Sequence, residues 1–319
     1  MANSYLNRTQ SSATSDKIGT FSAWIKLSSF SALTDAVFSG HTDSSNRIAL
    51  YFADTLRIYG AIGGSQSVYL VTNRVFQDPS AFYHVVVAWD TTQGTDSNRF
   101  KIYVNGSQIT SFSTTSYPSQ NADVYWNKGT TSIVGARFVS SVDNYFDGYM
   151  SHVSFVDGQQ LAPTVFGETD STSGIWKFKS PSGVTWGNNG FHLKFESSGN
   201  LGLDSSGNSN TFTLQGSPRQ ALDTPSNVSA TLNPLVTYGT NQNALSEGNN
   251  TTTGIAYHRP SPPTLAVSKG KWYFEAKALS GTAAKWWIGL CDAEYDTKNQ
   301  SSVGSTTNYI WGYDATTNA

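Results

Sequence analysis

The stretch FYHVVVAWD, Phe82 to Asp90, followed by FKIYVN, Phe100 to Asn105, decides the fold class. In the second segment Phe100, Ile102 and Val104 share one parity, and Lys101, Tyr103 and Asn105 share the other. Side chains alternate across a strand, so this is a strand with one face on a core and one in water. The first segment is apolar at both parities, with Tyr83, Val85, Val87 and Trp89 on one side and Phe82, Val86 and Ala88 on the other. Such a strand belongs at the centre of a sheet covered on both faces. Similar segments recur from residue 20 onward: TFSAWIK (Thr20 to Lys26), RIALYF (Arg47 to Phe52), SVYLVT (Ser67 to Thr72) and GYMSHVSFV (Gly148 to Val156). Spacing of this kind, with Asn105-Gly106, Asp147-Gly148 and Asp157-Gly158 at strand ends, predicts an antiparallel β-sandwich.

Composition agrees and excludes several classes. Of 319 residues, 44 are Ser, 35 Thr and 23 Asn, residue types that favour strands and loops over helix. Charged residues are 13% of the chain, about half the usual share, and net charge is -2. Without a basic face there is no electrostatic footprint for nucleic acid or for an anionic membrane surface. The N-terminal MANSYLNRTQ has no apolar core of a secretory signal, and no apolar run approaches the roughly 20 residues of a membrane span. The expectation is therefore a protein outside the membrane. Cys291 is the one cysteine, so stability rests on packing. Aromatic residues at 13% supply it.

The chain divides by texture. Residues 1–167 are strand-like and end in LAPTVF (Leu161 to Phe166), where Pro163 and Gly167 bracket one helical turn. Residues 168–269 form an extended connector, rich in Gly, Ser, Asn and Pro, whose Trp176, Trp186, Phe191, Phe195 and Phe212 need a surface to bury against. Strand-like text returns in 270–319 as KWYFEAKAL, KWWIGLCD and NYIWGYD.

The strings FSAWIKLSS, FYHVVVAWDTT with FKIYVNGSQI, and YFDGYMSHVSFVDGQQLAPTVFGE resemble the laminin-G-like, concanavalin-A-like sandwich found in structural proteins of tailed bacteriophages. In that group a connector like NGFHLKFESSGNLGLDSSGNSNTFTLQGSPRQALDTPSNVSATLNPL follows, and then a SPRY-like domain opening with GKWYFEA; all three blocks stand here in that order. The resemblance implies an all-β jelly-roll sandwich, an extended connector and a partial SPRY-like β region. It further implies a virion component, a tail fibre or other fibre adhesin in contact with host surface glycan and other virion subunits, assembled as a homotrimer. A capsid decoration or head-fibre protein is the alternative it leaves open. SPRY-like domains continue past WGYDATTN, so residues 270–319 are expected to pair among themselves and with the connector or a neighbouring subunit.

The fold class also includes glucan hydrolases. Retaining enzymes need two carboxylates about 5 to 5.5 Å apart. The nearest acidic pattern, Glu168-Thr-Asp170-Ser-Thr-Ser173, lacks its last acid and lies in the connector. The five histidines, His41, His84, His152, His192 and His258, form no metal-protease pattern, and within strands His84 and His152 read as partly buried rings with satisfied hydrogen bonds. No catalytic residue and no cofactor are assigned. Glycan binding asks for aromatic faces beside Asn and Asp, which sandwich-end loops can present. Two segments combine both: Tyr125 and Trp126 in DVYWN, and Asp143, Asn144, Tyr145 and Asp147 in DNYFD. Asp143, Asn144 and Asp147 are also the oxygen donors a Ca²⁺ ion would take here.

Overall fold

The computed structural model describes residues 3–30, 35–236, 243–254, 261–277, 279, 287–290 and 311–314. They form two compact units, Met1–Ser229 and Ala230–Ala319. The first is a sandwich of two antiparallel sheets. The larger sheet has eight strands in the order Phe112–Ser116 (β10), Ser65–Thr72 (β6), Leu56–Ile62 (β5), Asn46–Phe52 (β4), Ala36–Asp43 (β3), Thr131–Val134 (β11), Tyr5–Thr9 (β1) and Thr213–Gln215 (β18). The smaller has six: Phe191–Leu193 (β17), Gly148–Asp157 (β14), Ile18–Leu27 (β2), Tyr83–Asp90 (β7), Phe100–Val104 (β8) and Ser107–Ile109 (β9). No described helix is long and apolar enough to cross a membrane.

Alternation builds the core as the sequence predicts. Phe21, Ala23 and Ile25 of β2, Val85, Val87 and Trp89 of β7 and Phe100, Ile102 and Val104 of β8 face Phe38, Ile48, Leu50, Phe52, Ile58 and Leu70 of the larger sheet. Phe21 stacks on Phe38 at 4.7 Å between ring centroids. β7 is buried at every position and lies between β2 and β8, with Val86 packed on the outer side against Val156 and Phe166. Asn105 and Gly106, both at positive φ, make the turn from β8 to β9. A single 3-10 turn, Pro163–Val165, stands where LAPTVF predicts one.

One short helix, Tyr125–Lys128 (α1), plugs an end of the sandwich. It approaches β3 so closely that a Cβ on Gly40 would lie 2.3 Å from the Tyr125 carbonyl oxygen. Only glycine leaves that space.

The connector as far as Ser229 is built into this unit. β17 pairs with β14 and β18 pairs with β1, so each sheet takes an edge strand from beyond residue 168. Phe191, Leu193 and Phe212 are core residues. Gly167–Thr169 (β15) and Trp176–Phe178 (β16) form a hairpin, and Arg137–Phe138 (β12) and Val142–Asp143 (β13) form another.

In the second unit Ala244–Ser246 (β19) pairs with Thr251–Thr253 (β20), and Trp287–Leu290 (β21) with Trp311–Asp314 (β22). The last ladder joins the KWWIGLCD and NYIWGYD segments as expected. KWYFEAK differs: Lys271 to Lys277 carry no ladder, and Trp272, Tyr273 and Phe274 are exposed. Its apolar parity, Trp272, Phe274 and Ala276, would need a covered face, which no described residue provides. Cys291, His258 and Glu294 lie outside the described residues.

Candidate functional site

The expected ligand residues fall at two separate places. Tyr125 lies in α1 and donates its hydroxyl to Asn46 Oδ1 at 3.0 Å, just past the C-terminal end of β3. Tyr145 and Asn144 meet Ala36 at the other end of that strand, through a parallel bridge and an Ala36 N–H donated to the Asn144 carbonyl at 3.0 Å. Seven residues of strand separate the two by about 23 Å. Trp126 is removed from the surface altogether. It is 0% exposed and packs on Trp89, Phe38 and Phe100 with centroids 5.1, 5.8 and 6.2 Å away. Its ring fills the mouth between the sheets that α1 closes, so no sugar can stack on it.

The DNYFD segment returns from the β12–β13 hairpin, which lies on the outer face of the larger sheet. Arg137 Nε and Nη2 donate to both carboxylate oxygens of Asp143 at 2.8 and 3.1 Å, and Nη1 donates to the Tyr51 hydroxyl at 3.0 Å. The Asp143 hydrogen bond pushes the Arg137 pKa above its already high value, so this cation is permanent. Phe138 stacks on His41 at 4.1 Å. Tyr145 donates its hydroxyl to the Val142 carbonyl at 3.0 Å and lies 6.0 Å from the Tyr5 ring. Burial pushes the Asp147 carboxyl up from its ordinary value.

The same face carries residues that loop-centred reading passed over. In RIALYF, Ile48, Leu50 and Phe52 point to the core, so Arg47 and Tyr51 point out; in LRIYGAI the outward set includes Arg57 and Tyr59, and in SVYLVT it includes Tyr69. Register places Tyr51 opposite Arg57 and Tyr59 opposite Tyr69. The Arg57 guanidinium lies 4.0 Å above the Tyr51 ring, and Tyr59 meets Tyr69 edge to face at 5.7 Å. Tyr5, Tyr51, Tyr59, Tyr69 and Tyr145 thus share one face with Arg47, Arg57, Arg137 and Asp143. The sequence signal for those in the strands was parity: a tyrosine or arginine directly beside a core aliphatic, and so on the opposite face.

The smaller sheet holds an arrangement that invites a catalytic reading. Ser22 Oγ lies 2.8 Å from His84 Nε2, as in a nucleophile–base pair. The third partner reverses the roles. Trp176 donates its indole N–H to His84 Nδ1 at 2.9 Å, so Nδ1 carries the lone pair and Nε2 the proton. His84 therefore donates to Ser22 and cannot take its proton. Burial pushes the imidazole down to about 3, which keeps it neutral. The Glu168/Asp170 pair is engaged by Lys177 at 3.6 and 3.0 Å on the β15–β16 hairpin. Among the described residues no three His, Cys, Asp or Glu side chains gather to hold a metal ion.

A family model described as the concanavalin A-like lectin/glucanases superfamily matches residues 2–165. The chain belongs to this superfamily. Solved structures similar to this superfamily member include the heptameric SAP-like pentraxin of Limulus polyphemus, at 19% identity over 50% of this chain and 71% of that one, with a TM-score of 0.36. The CBM40 of the Ruminococcus gnavus IT-sialidase is similar at 15% identity over 46% and 79%, TM-score 0.36. Domains LG4-5 of the mouse laminin alpha1 chain are similar at 10% identity over 60% and 45%, TM-score 0.36. No curated protein matches this lectin-like sequence.

Proposed function

We propose that this chain is a glycan-binding, non-catalytic protein that uses the outer face of the larger sheet, and that it serves as a fibre component of a tailed-bacteriophage virion. The glycan part rests above all on the partly exposed Tyr5, Tyr59, Tyr69 and Tyr145, which share that face with fixed arginines, while Tyr51, 2% exposed beneath Arg57 and Arg137, supports them. Tyrosine rings offer flat surfaces to sugar C–H groups, while guanidinium, carboxylate and hydroxyl groups supply the directed hydrogen bonds that fix orientation. The lectin-type fold supports it. The phage part rests on the succession of sandwich, connector and GKWYFEA blocks. A fibre carries many copies, so a weak single site gives firm attachment once several engage one surface. Homotrimeric assembly and contact with other virion subunits belong to the same reading.

A glycan array probed with the intact chain and with Y59A/Y69A tests the binding face. The intact chain should retain one or a few glycans, and the double variant should lose roughly tenfold or more in affinity for them. Both tyrosines point away from the main core, but Tyr59 packs on Ala36, Ala49 and Tyr51, so the double variant should stay folded with a melting temperature lower by about a few degrees. Equal binding by the two proteins would place the site elsewhere.

A further inference from the structure

We propose that the β15–β16 hairpin, together with Trp186, is a strap that acid releases from the outer face of the six-stranded sheet while the sandwich beneath stays folded. The geometry is specific. Three histidines on that face, one each from β7, β14 and β17, each pair with an aromatic ring of the strap. Trp176 lies parallel to His84 at 5.9 Å, with Trp24 stacked on the other side of the imidazole at 4.7 Å. Phe178 stacks on His152 at 3.6 Å, and Trp186 lies parallel to His192 at 5.9 Å. His152 is placed by a β-bulge: between the pairs Ser151–Trp24 and Ser154–Ser22, His152 and Val153 of β14 oppose the single Ala23 of β2, and His152 takes φ of +50°. A non-glycine residue held there is strained, and bulges re-aim side chains.

Protonating His84 Nδ1 removes the acceptor that the Trp176 indole N–H binds at 2.9 Å, and beneath the strap a charge on any of the three rings is poorly solvated. Burial holds His152 and His192 down to about 4, and His84 down to about 3. The charged groups facing them are few. Lys194 and Glu196 act on His152 with opposite sign; His152, Lys194 and Asp204 act on His192; burial alone acts on His84. His152 Nδ1 and His192 Nε2 are 3.4 Å apart, so one protonation also opposes the other. On the strap itself, the Ser173 N–H, Lys177 and the Thr172 N–H hold the Asp170 carboxyl well below the usual carboxylate range, so that ion pair survives in this window.

A docked histidine with a depressed pKa binds fewer protons than a released one. Docking is therefore complete above about 6.5 and weakens as pH falls toward 4. With His192 at about 4 docked and 6.5 released, that residue alone shifts the docking equilibrium roughly 20-fold between pH 7 and pH 5. Hydrogen exchange of the intact chain at those two pH values, normalised to intrinsic rates, tests this. Protection in residues 167–178 should fall at least tenfold at the lower pH while Val85–Val87 in β7 stay protected. Unchanged strap protection, or loss of both together, overturns the proposal. A variant carrying H84Q, H152Q and H192Q should lose the pH dependence; if it keeps it, protons on these rings are not the trigger and the proposal is likewise overturned. Should that variant not fold, the exchange measurement on the unmodified chain decides alone.

Discussion

A chain cut after residue 167 is expected not to fold, although it contains the whole segment matched by the superfamily model. The reason lies in what the connector contributes. Phe191 packs on Phe155, Phe38 and Phe212 at 5.6, 6.1 and 4.7 Å, and all four rings are buried. Removing a buried aromatic typically costs about 3–5 kcal/mol, and the cut removes Phe191, Leu193 and Phe212 together. The summed loss, on the order of 10 kcal/mol, matches the entire stability of an ordinary domain at about 5–15 kcal/mol. The cut also strips β17 from β14 and β18 from β1, leaving two strand edges unpaired. Melting curves for residues 1–167 and 1–229 check this. The longer piece should melt cooperatively and the shorter should show no transition; a cooperative melt of the shorter piece would refute it.

The second large effect is expected at Asp223. Its carboxylate accepts from Lys26 Nζ at 2.7 Å, and the two side chains are only 4% and 1% exposed. Lys26 also donates to the Ser229 carbonyl at 2.9 Å, and Asp223 accepts the Ser229 N–H at 3.0 Å. The pair pins the Asp223–Ser229 stretch of the connector to the outer face of β2. Asp223→Ala leaves an ammonium buried without its counter-charge, which costs about 3–5 kcal/mol. For a unit of this size the melting temperature should fall by about 10 °C. Lys26→Met combined with Asp223→Leu removes both charges and should recover most of that loss. If the double variant melts as low as the single one, the deficit is lost packing and not an orphaned charge.

These two cases show where sequence reading reaches and where it stops. Parity in FKIYVN and RIALYF located Phe100, Ile102, Ile48 and Leu50 in the core because alternation is a local property of the strand. Whether the opposite face is open is not local. The two-sided apolar pattern of Phe82 to Asp90 announced that His84 is covered but not by what, which is Trp176, 92 positions away; Lys26 looks solvent-facing, yet it is buried against Asp223, 197 positions away. Trp126 read as a loop aromatic because nothing within four residues of helix announces that it plugs a sandwich end. The reverse error touched Tyr59 and Tyr69. They stand in strands, where attention goes to the core, while the open face they share is defined by register among β4, β5 and β6. Asp143 and Tyr145 were legible as polar and aromatic groups on one loop, and the structure sets Tyr145 beside Tyr5 and joins Asp143 through Arg137 to Tyr51.

The outer face of the larger sheet is the surface proposed to meet sugar. Hydroxyl-radical footprinting of the intact chain, with and without a glycan retained on the array, measures this directly, since exposed tyrosines oxidise and covered ones do not. Protection should concentrate on Tyr59, Tyr69 and Tyr145 at the outer face of the larger sheet. Protection confined to Tyr125 at the α1 end, with those three unchanged, would contradict it.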